Sequence, residues 1–150
     1  MPVKPVPEGY HSITPYLVVS GVAKLLAFLK QAFDAKETHP PMTRPDGTVT
    51  HAEVQIGDSR VMMGEPTAQF TAMPGSLYLY VSDTDATYKK ALQAGATSLM
   101  EPANQFYGDR NAGVKDATGM QWWIGTHVED VPPEEMARRH EAYVKQQAKK

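Results

Sequence analysis

Residues 16–36, YLVVSGVAKLLAFLKQAFDAK, return as YLYVSDTDATYKKALQAGAT at residues 78–97. Tyr16/Tyr78, Leu17/Leu79, Val19/Val81, Ser20/Ser82, Gln31/Gln93 and Ala32/Ala94 all match at one constant offset of 62 positions. Each copy changes from an extended, β-branched run to a helical period, so each reads as a strand leading into a helix. Two copies are too few for a solenoid, whose units need several neighbours to bury a continuous core. The expectation is two similar α+β modules side by side, with function sought in a cavity that they share.

The rest of each module follows from the turn signals. Val22, Leu25, Leu26, Leu29, Ala32 and Phe33 obey the i, i+3, i+4, i+7 rule and predict one apolar helix face. Pro40 and Pro41 end that region, and Asp46-Gly47 predicts a tight hairpin before a strand over 48–56 and another over 60–64. In the second copy a strand over 77–81 precedes a helix capped by Asp83 or Thr84 and closed at Gly95. Extended segments over 97–100, 111–116 and 120–126 complete it. Both copies therefore count as β-α-β-β-β. The expected organisation is a proline-rich arm at 1–9, one domain over 10–130 with modules at 10–66 and 75–127, and a tail at 131–150. In the tail, Met136, His140 and Tyr143 form a thin apolar stripe, suited to docking on the domain, to docking on a second subunit, or to a solvated helix.

Composition removes several classes of function. Fifteen basic against seventeen acidic residues leave a net charge of −2, and no basic stripe is interleaved with aromatics, so no nucleic-acid partner is expected. There is no cysteine, hence no disulfide, thiolate metal site or cysteine nucleophile. No apolar run approaches the roughly 20 residues that span a bilayer, and the N-terminus lacks a signal-peptide core. The expectation is a cytoplasmic protein with a small-molecule ligand and no membrane partner.

Three segments carry a family resemblance: ITPYLVV, DGTVTHAEVQIGDSRVMMGE and QFYGDRNAGVKDATGMQWWIGTHVEDVPPEEM. In this order, within a tandem βαβββ repeat, they resemble the vicinal oxygen chelate superfamily of glyoxalase I, bleomycin-resistance proteins and extradiol dioxygenases, and within it the PhnB-like subfamily. The resemblance implies an α+β fold in which two tandem βαβββ modules form a curved mixed sheet around a cavity, with the helices outside, in a homodimer. It also implies a divalent metal held by His, Gln or Glu from the first and last strands of the modules. Those positions fall on Thr14, Met63 (or Glu65 after a two-residue shift), Ser76 and Trp123. A catalytic metal needs three or four imidazole or carboxylate ligands, and this set supplies at most one. No cofactor is expected at these positions, although a divalent metal at a displaced site stays open.

Strand alternation carried out from those positions gives an inward set of Thr14, Tyr16, Val61, Met63, Glu65, Ser76, Tyr78, Tyr80, Gln121 and Trp123, with Trp122 facing the helices. Tyr107 and Arg110, in a loop with Asp109, are candidates to close over the ligand, Arg110 as a clamp for an anion; the alternative is that Asp109 and Arg110 hold the loop shape. Glu65 is a candidate base if buried in an apolar cavity, where desolvation would raise its pKa; a strand-end place at the surface is the alternative. His51, with Glu53 two residues on, reads either as an acid/base pair, as two ligands of a displaced metal, or as an outward polar row. His127 reads as a rim base or as a hinge before the tail.

Three functions follow. The preferred one is a metal-free protein that binds an aromatic or amphipathic compound. The alternatives are a metal-dependent lyase or dioxygenase built on His51, Glu53 and Glu65, and a metal-free enzyme using Glu65 or His51 as base with Arg110 holding the substrate.

Overall fold

The computed structural model describes residues 2–150; Met1, at the tip of the expected arm, lies outside the described residues. The first module begins with β1 (Tyr16–Val18), which leads into α1 (Val22–Phe33). The second strand of the module is broken into β2 (Lys36–Glu37) and β3 (Met42–Thr43). Pro40 and Pro41 lie in the break, where two missing N–H groups prevent a continuous ladder. Both pieces pair antiparallel with β4 (Val49–Ile56), which pairs with β5 (Ser59–Gly64), and β5 lies parallel to β1. The order is β1-β5-β4-β2.

The second module repeats this topology with an unbroken second strand. It runs β6 (Ser76–Tyr80), α2 (Thr84–Gln93), β7 (Thr97–Asn104), β8 (Asp109–Lys115) and β9 (Gln121–His127), in the order β6-β9-β8-β7. Asp83 caps α2 by accepting from the Ala86 N–H, and Gly95 follows it in the left-handed conformation, φ 103°. The expected α+β class and the two βαβββ units are thus present. Their strands form two sheets that are not hydrogen-bonded strand to strand.

One face of each sheet and both helices bury a single apolar core. Leu17 and Val19 enter it from the first module, Ala112, Val114, Trp122 and Ile124 from the second. Phe33 of α1 reaches across, its ring 5.3 Å from that of Trp122, so the first helix also packs on the second sheet. Trp122 is 2% exposed, and its indole N–H donates to Asp116 at 2.8 Å, which removes the cost of burying that donor. As expected, Trp122 belongs to the core.

The remaining face of each sheet is met by a chain terminus. Tyr10, near the N-terminus, donates its hydroxyl to Glu53 at 2.5 Å while the Arg60 guanidinium stands 4.5 Å over its ring. At the other end α3 (Pro133–Ala148) docks on the second module. Arg139 forks onto Glu129 with two bonds of 2.9 Å and also donates to the Phe106 carbonyl; the Phe106 ring meets Tyr143 at 5.0 Å and His140 at 5.9 Å. Among the described residues no helix is long and apolar enough to cross a membrane.

Candidate functional site

Pairing fixes which residues share a face. Tyr16 stands opposite Met62 in the first sheet, as Tyr78 stands opposite Trp123 in the second. Val18 and Gly64 then correspond to Tyr80 and Gly125. In both modules the tyrosine of the first strand overlies the glycine of the last: a Cβ on Gly64 would stand 2.7 Å from the Tyr16 hydroxyl, and one on Gly125 2.4 Å from that of Tyr78. The offset between modules is therefore 62 in the first strands and 61 in the last.

The pairing of Tyr16 with Met62 overturns part of the inward set expected from the family positions. Met63 and Val61, at 0% and 5% exposure, lie in the core beside the helices, and Met62 takes the place expected of Met63. A one-residue slip moves every side chain of a strand to the other face. Glu65 is also turned away: its Oε1 accepts from the N–H groups of Gly21 at 2.9 Å and Val22 at 2.7 Å. A carboxylate there satisfies orphan donors and sits at the positive end of α1, which has no side-chain cap of its own. Arg110 is a third correction. It lies next to Asp109 on β8, so the two point to opposite faces, and Arg110 forks onto Asp85 of α2 at 2.7 and 2.9 Å. It holds the helix to its sheet and is not a clamp over the open face.

The expected residues that do assemble are those of the second sheet. Tyr78, Tyr107 and Trp123 line a cleft of about 520 Å³ with Met100, Gln105, Phe106 and Asn111, closed on one side by His140 and Tyr143 of α3. Trp123 donates its indole N–H to Ser76 at 2.9 Å, and a Cβ on Gly113 would collide with its six-membered ring. Gly113 thus leaves the floor open for that ring. Gln121 shares this face by alternation, at the start of β9.

Beneath the cleft lies a polar network centred on Asp109, which is 4% exposed. Its Oδ2 accepts from Tyr78 and Tyr80, both at 2.8 Å, and its Oδ1 lies 3.0 Å from His127 Nδ1. Burial alone would raise the Asp109 carboxyl, but the bonds from His127, Tyr78 and Tyr80 outweigh it and hold the group below its ordinary range. Burial, with the bond to Asp109, pushes the Tyr78 phenol well above its ordinary value, and the Asp109 bond raises Tyr80 as well. Both tyrosines are fixed as hydrogen-bond donors. His127 reaches Asp130 at 2.7 Å through its other nitrogen, and the bonds to Asp109 and Asp130 raise its pKa. Of its two readings these contacts favour the hydrogen-bonded hinge, tying β9 to Asp130 at the start of the tail.

Tyr16 and His51 belong to the other sheet. Thr14 precedes β1. His51 Nδ1 lies 3.4 Å from the Tyr16 hydroxyl, a long contact, and its ring stacks parallel to His39 with centroids 6.2 Å apart. Glu53 is 2% exposed and is taken by Tyr10, by Thr38 at 2.6 Å and by Arg60 at 3.7 Å. Burial alone would raise its carboxyl, but the Thr38 and Tyr10 hydroxyls lower it overall. The pair His51/Glu53 therefore shares a face without sharing a proton.

The family metal does not fit these positions. Glu65 is spent on α1, Met63 is in the core, Ser76 is bonded to Trp123, and an indole offers a metal no lone pair in the plane of its ring. Among the described residues no group of three or more His, Cys, Asp or Glu is placed to hold a metal ion.

Asn111, Phe106, Met100 and Gln105 were not anticipated as cleft residues. The signal was the alternation Asp109, Asn111, Gly113, two polar side chains and a glycine on one face of an otherwise buried strand. The docking of His140 and Tyr143 was open in the sequence and is decided by the Arg139–Glu129 fork.

Comparisons with known proteins agree with this architecture. Uncharacterized proteins of Mycobacterium bovis and Mycobacterium tuberculosis are each 32% identical to the chain over 83% of its length, and over 89% and 79% of theirs. Among solved structures, TioX from a Micromonospora species superposes with a TM-score of 0.67 at 20% identity, covering 79% of this chain and 99% of that one. A glyoxalase/bleomycin resistance protein/dioxygenase family enzyme from Burkholderia phytofirmans superposes with a TM-score of 0.61 at 19% identity, covering 75% and 95%. Residues 9–124 match the profile described as the Glyoxalase/Bleomycin resistance protein/Dioxygenase superfamily, and the chain belongs to that superfamily.

Proposed function

We propose that this chain is a small-molecule-binding member of the superfamily, of the PhnB-like kind, whose ligand occupies the second-module cleft without a metal at the family positions. The observation that carries this reading is the cleft itself: aromatic walls from β6, β9 and α3 around a floor with one buried amide, Asn111. Apolar walls with a few placed polar groups are the usual make-up of a ligand site. The engagement of Glu65 at α1 and of Glu53 with Tyr10 and Thr38 counts against either as a free base. The turn of Arg110 toward Asp85 counts against an anionic ligand held there.

The protein would act as a cytoplasmic homodimer. Ile13, Tyr16 and Met42 are more than half exposed at and beside the open face of the first sheet, an apolar surface that a second copy would cover. Sedimentation velocity tests this, and a monomer at tens of micromolar would contradict it.

The binding reading is tested by calorimetric titration of metal-stripped protein with small bicyclic aromatics. Saturable binding in the parent, lost in Trp123→Ala with the fold retained, supports it. Binding that appears only after a divalent ion is added, or that survives in the variant, overturns it.

A further inference from the structure

The network under the cleft has a definite polarity, and following it outward leaves two groups over. The Asp109 carboxylate can only accept, so the Tyr78 hydroxyl spends its one proton on Asp109. The Tyr78 oxygen is then only an acceptor, and the Asn111 side chain 3.0 Å away must present its NH2 to it. This settles the orientation of the amide without reference to any ligand. The second hydrogen of that NH2 goes to the Tyr107 oxygen at 2.6 Å. Two hydrogen-bonding positions remain at the cleft. Asn111 Oδ1 is buried and has no partner, and the Tyr107 hydroxyl proton has no acceptor among the described residues.

A buried carbonyl oxygen without a donor costs free energy that a bound donor recovers. Asn111 is 2% exposed and lines the cleft. Its Oδ1 is covered in this conformation, so a ligand donor reaches it from the cleft only when a neighbouring side chain shifts aside. No lysine or arginine lines the cleft, which disfavours an anion, and the walls are aromatic.

We propose that the ligand is a flat, uncharged heterocycle with an amide edge, its N–H donating to Asn111 Oδ1 and its carbonyl accepting from the Tyr107 hydroxyl. This rests on the cleft being the ligand site. The acceptor belongs to the same amide whose NH2 meets the Tyr107 oxygen, so acceptor and donor are neighbours, and a lactam places its own donor and acceptor side by side on one rim. The ring of the lactam then contacts Trp123 and Tyr143 while its edge completes the network that starts at Asp109.

The probes are 2-quinolone, which has the lactam edge, and 2-methoxyquinoline, which has the same bicycle without the N–H. Calorimetry on metal-stripped full-length protein should show 2-quinolone binding tighter by about tenfold or more, the scale of one or two net hydrogen bonds. Tyr107→Phe should cut that preference severalfold, and Asn111→Leu should abolish it. Should Asn111→Leu fail to fold, the comparison of the two probes on the parent and on Tyr107→Phe still decides. Equal affinity of the parent for both probes would overturn the lactam assignment and leave the cleft standing. Binding of neither probe would remove the cleft reading and this inference with it.

Discussion

The six-membered ring of Trp123 occupies the space that a side chain at residue 113 would need: a Cβ on Gly113 would stand 2.4 Å from ring Cζ3. The two residues face each other across the β8–β9 ladder, so the bare backbone of one strand is the seat of the cleft wall supplied by the next. Gly113→Ala should therefore displace Trp123. Overpacking of this kind costs about 1–3 kcal/mol, and the variant should lose affinity for bicyclic aromatics at the same time. Urea melts with calorimetry check this; a variant that binds as the parent does would show that Trp123 is not a wall of the site.

Adjacent tryptophans should behave as different residues. Trp122 is buried against Phe33 and bonded to Asp116, and its truncation to alanine should cost about 3–5 kcal/mol. Trp123→Ala should cost less stability and about 1–3 kcal/mol of ligand affinity. Equal urea midpoints for the two variants would contradict the face assignment.

Glu65 is assigned to helix capping, which separates it from any role as base. Glu65→Ala should cost about 0.5–2 kcal/mol of stability, the scale of losing an N-terminal cap. Ligand binding at the second module should stay at the parent's level. A pH profile of binding or turnover that follows Glu65 would contradict this.

The Asp109–His127 contact makes stability depend on pH in two directions. His127 has a raised pKa, so its contribution is fully present below its ordinary 6.5 and is lost as pH rises through the raised value. Asp109 has a lowered pKa, so its contribution is present above its ordinary 3.8 and is lost as pH falls through the lowered value. Relative to His127→Gln, the parent should gain most between those two ordinary values, with the gain shrinking in salt because His127 is half exposed. Thermal midpoints across this range check the prediction, and parallel curves for the two proteins would refute it.

The repeat made the fold legible because Tyr16/Tyr78 and Leu17/Leu79 mark the same pleat in both modules, and β1 and β6 indeed begin both sheets in the same way. The family metal positions misled in the last strand of the first module. Carried over to Met63, they put Met63 and, by alternation, Val61 on the open face, whereas the pairing of β5 with β1 sets Met62 there. Strand alternation has no tolerance for such a slip, so Trp123 and Tyr78 share the open face while Met63 lies in the core. Glu65 and Arg110 failed for another reason. Their partners, the N–H groups of Gly21 and Val22 and the carboxylate of Asp85, are 25 to 44 residues away in sequence, and only the packing of α1 and α2 brings them together. Asn111 was hidden because its role depends on which way its amide points, and that is set by Asp109 through Tyr78.

In the proposed function the second-module cleft, without metal, holds a flat aromatic molecule against Trp123. The chain has two tryptophans, hence two indole N–H signals, and one of them reports on the core. The direct measurement is a titration of metal-stripped, nitrogen-labelled protein with 2-quinolone, following both indole signals by two-dimensional NMR. A saturable shift of the Trp123 signal is expected, while that of Trp122 stays in place. An unmoved Trp123 signal, or one that moves only once a divalent ion is supplied, would contradict it.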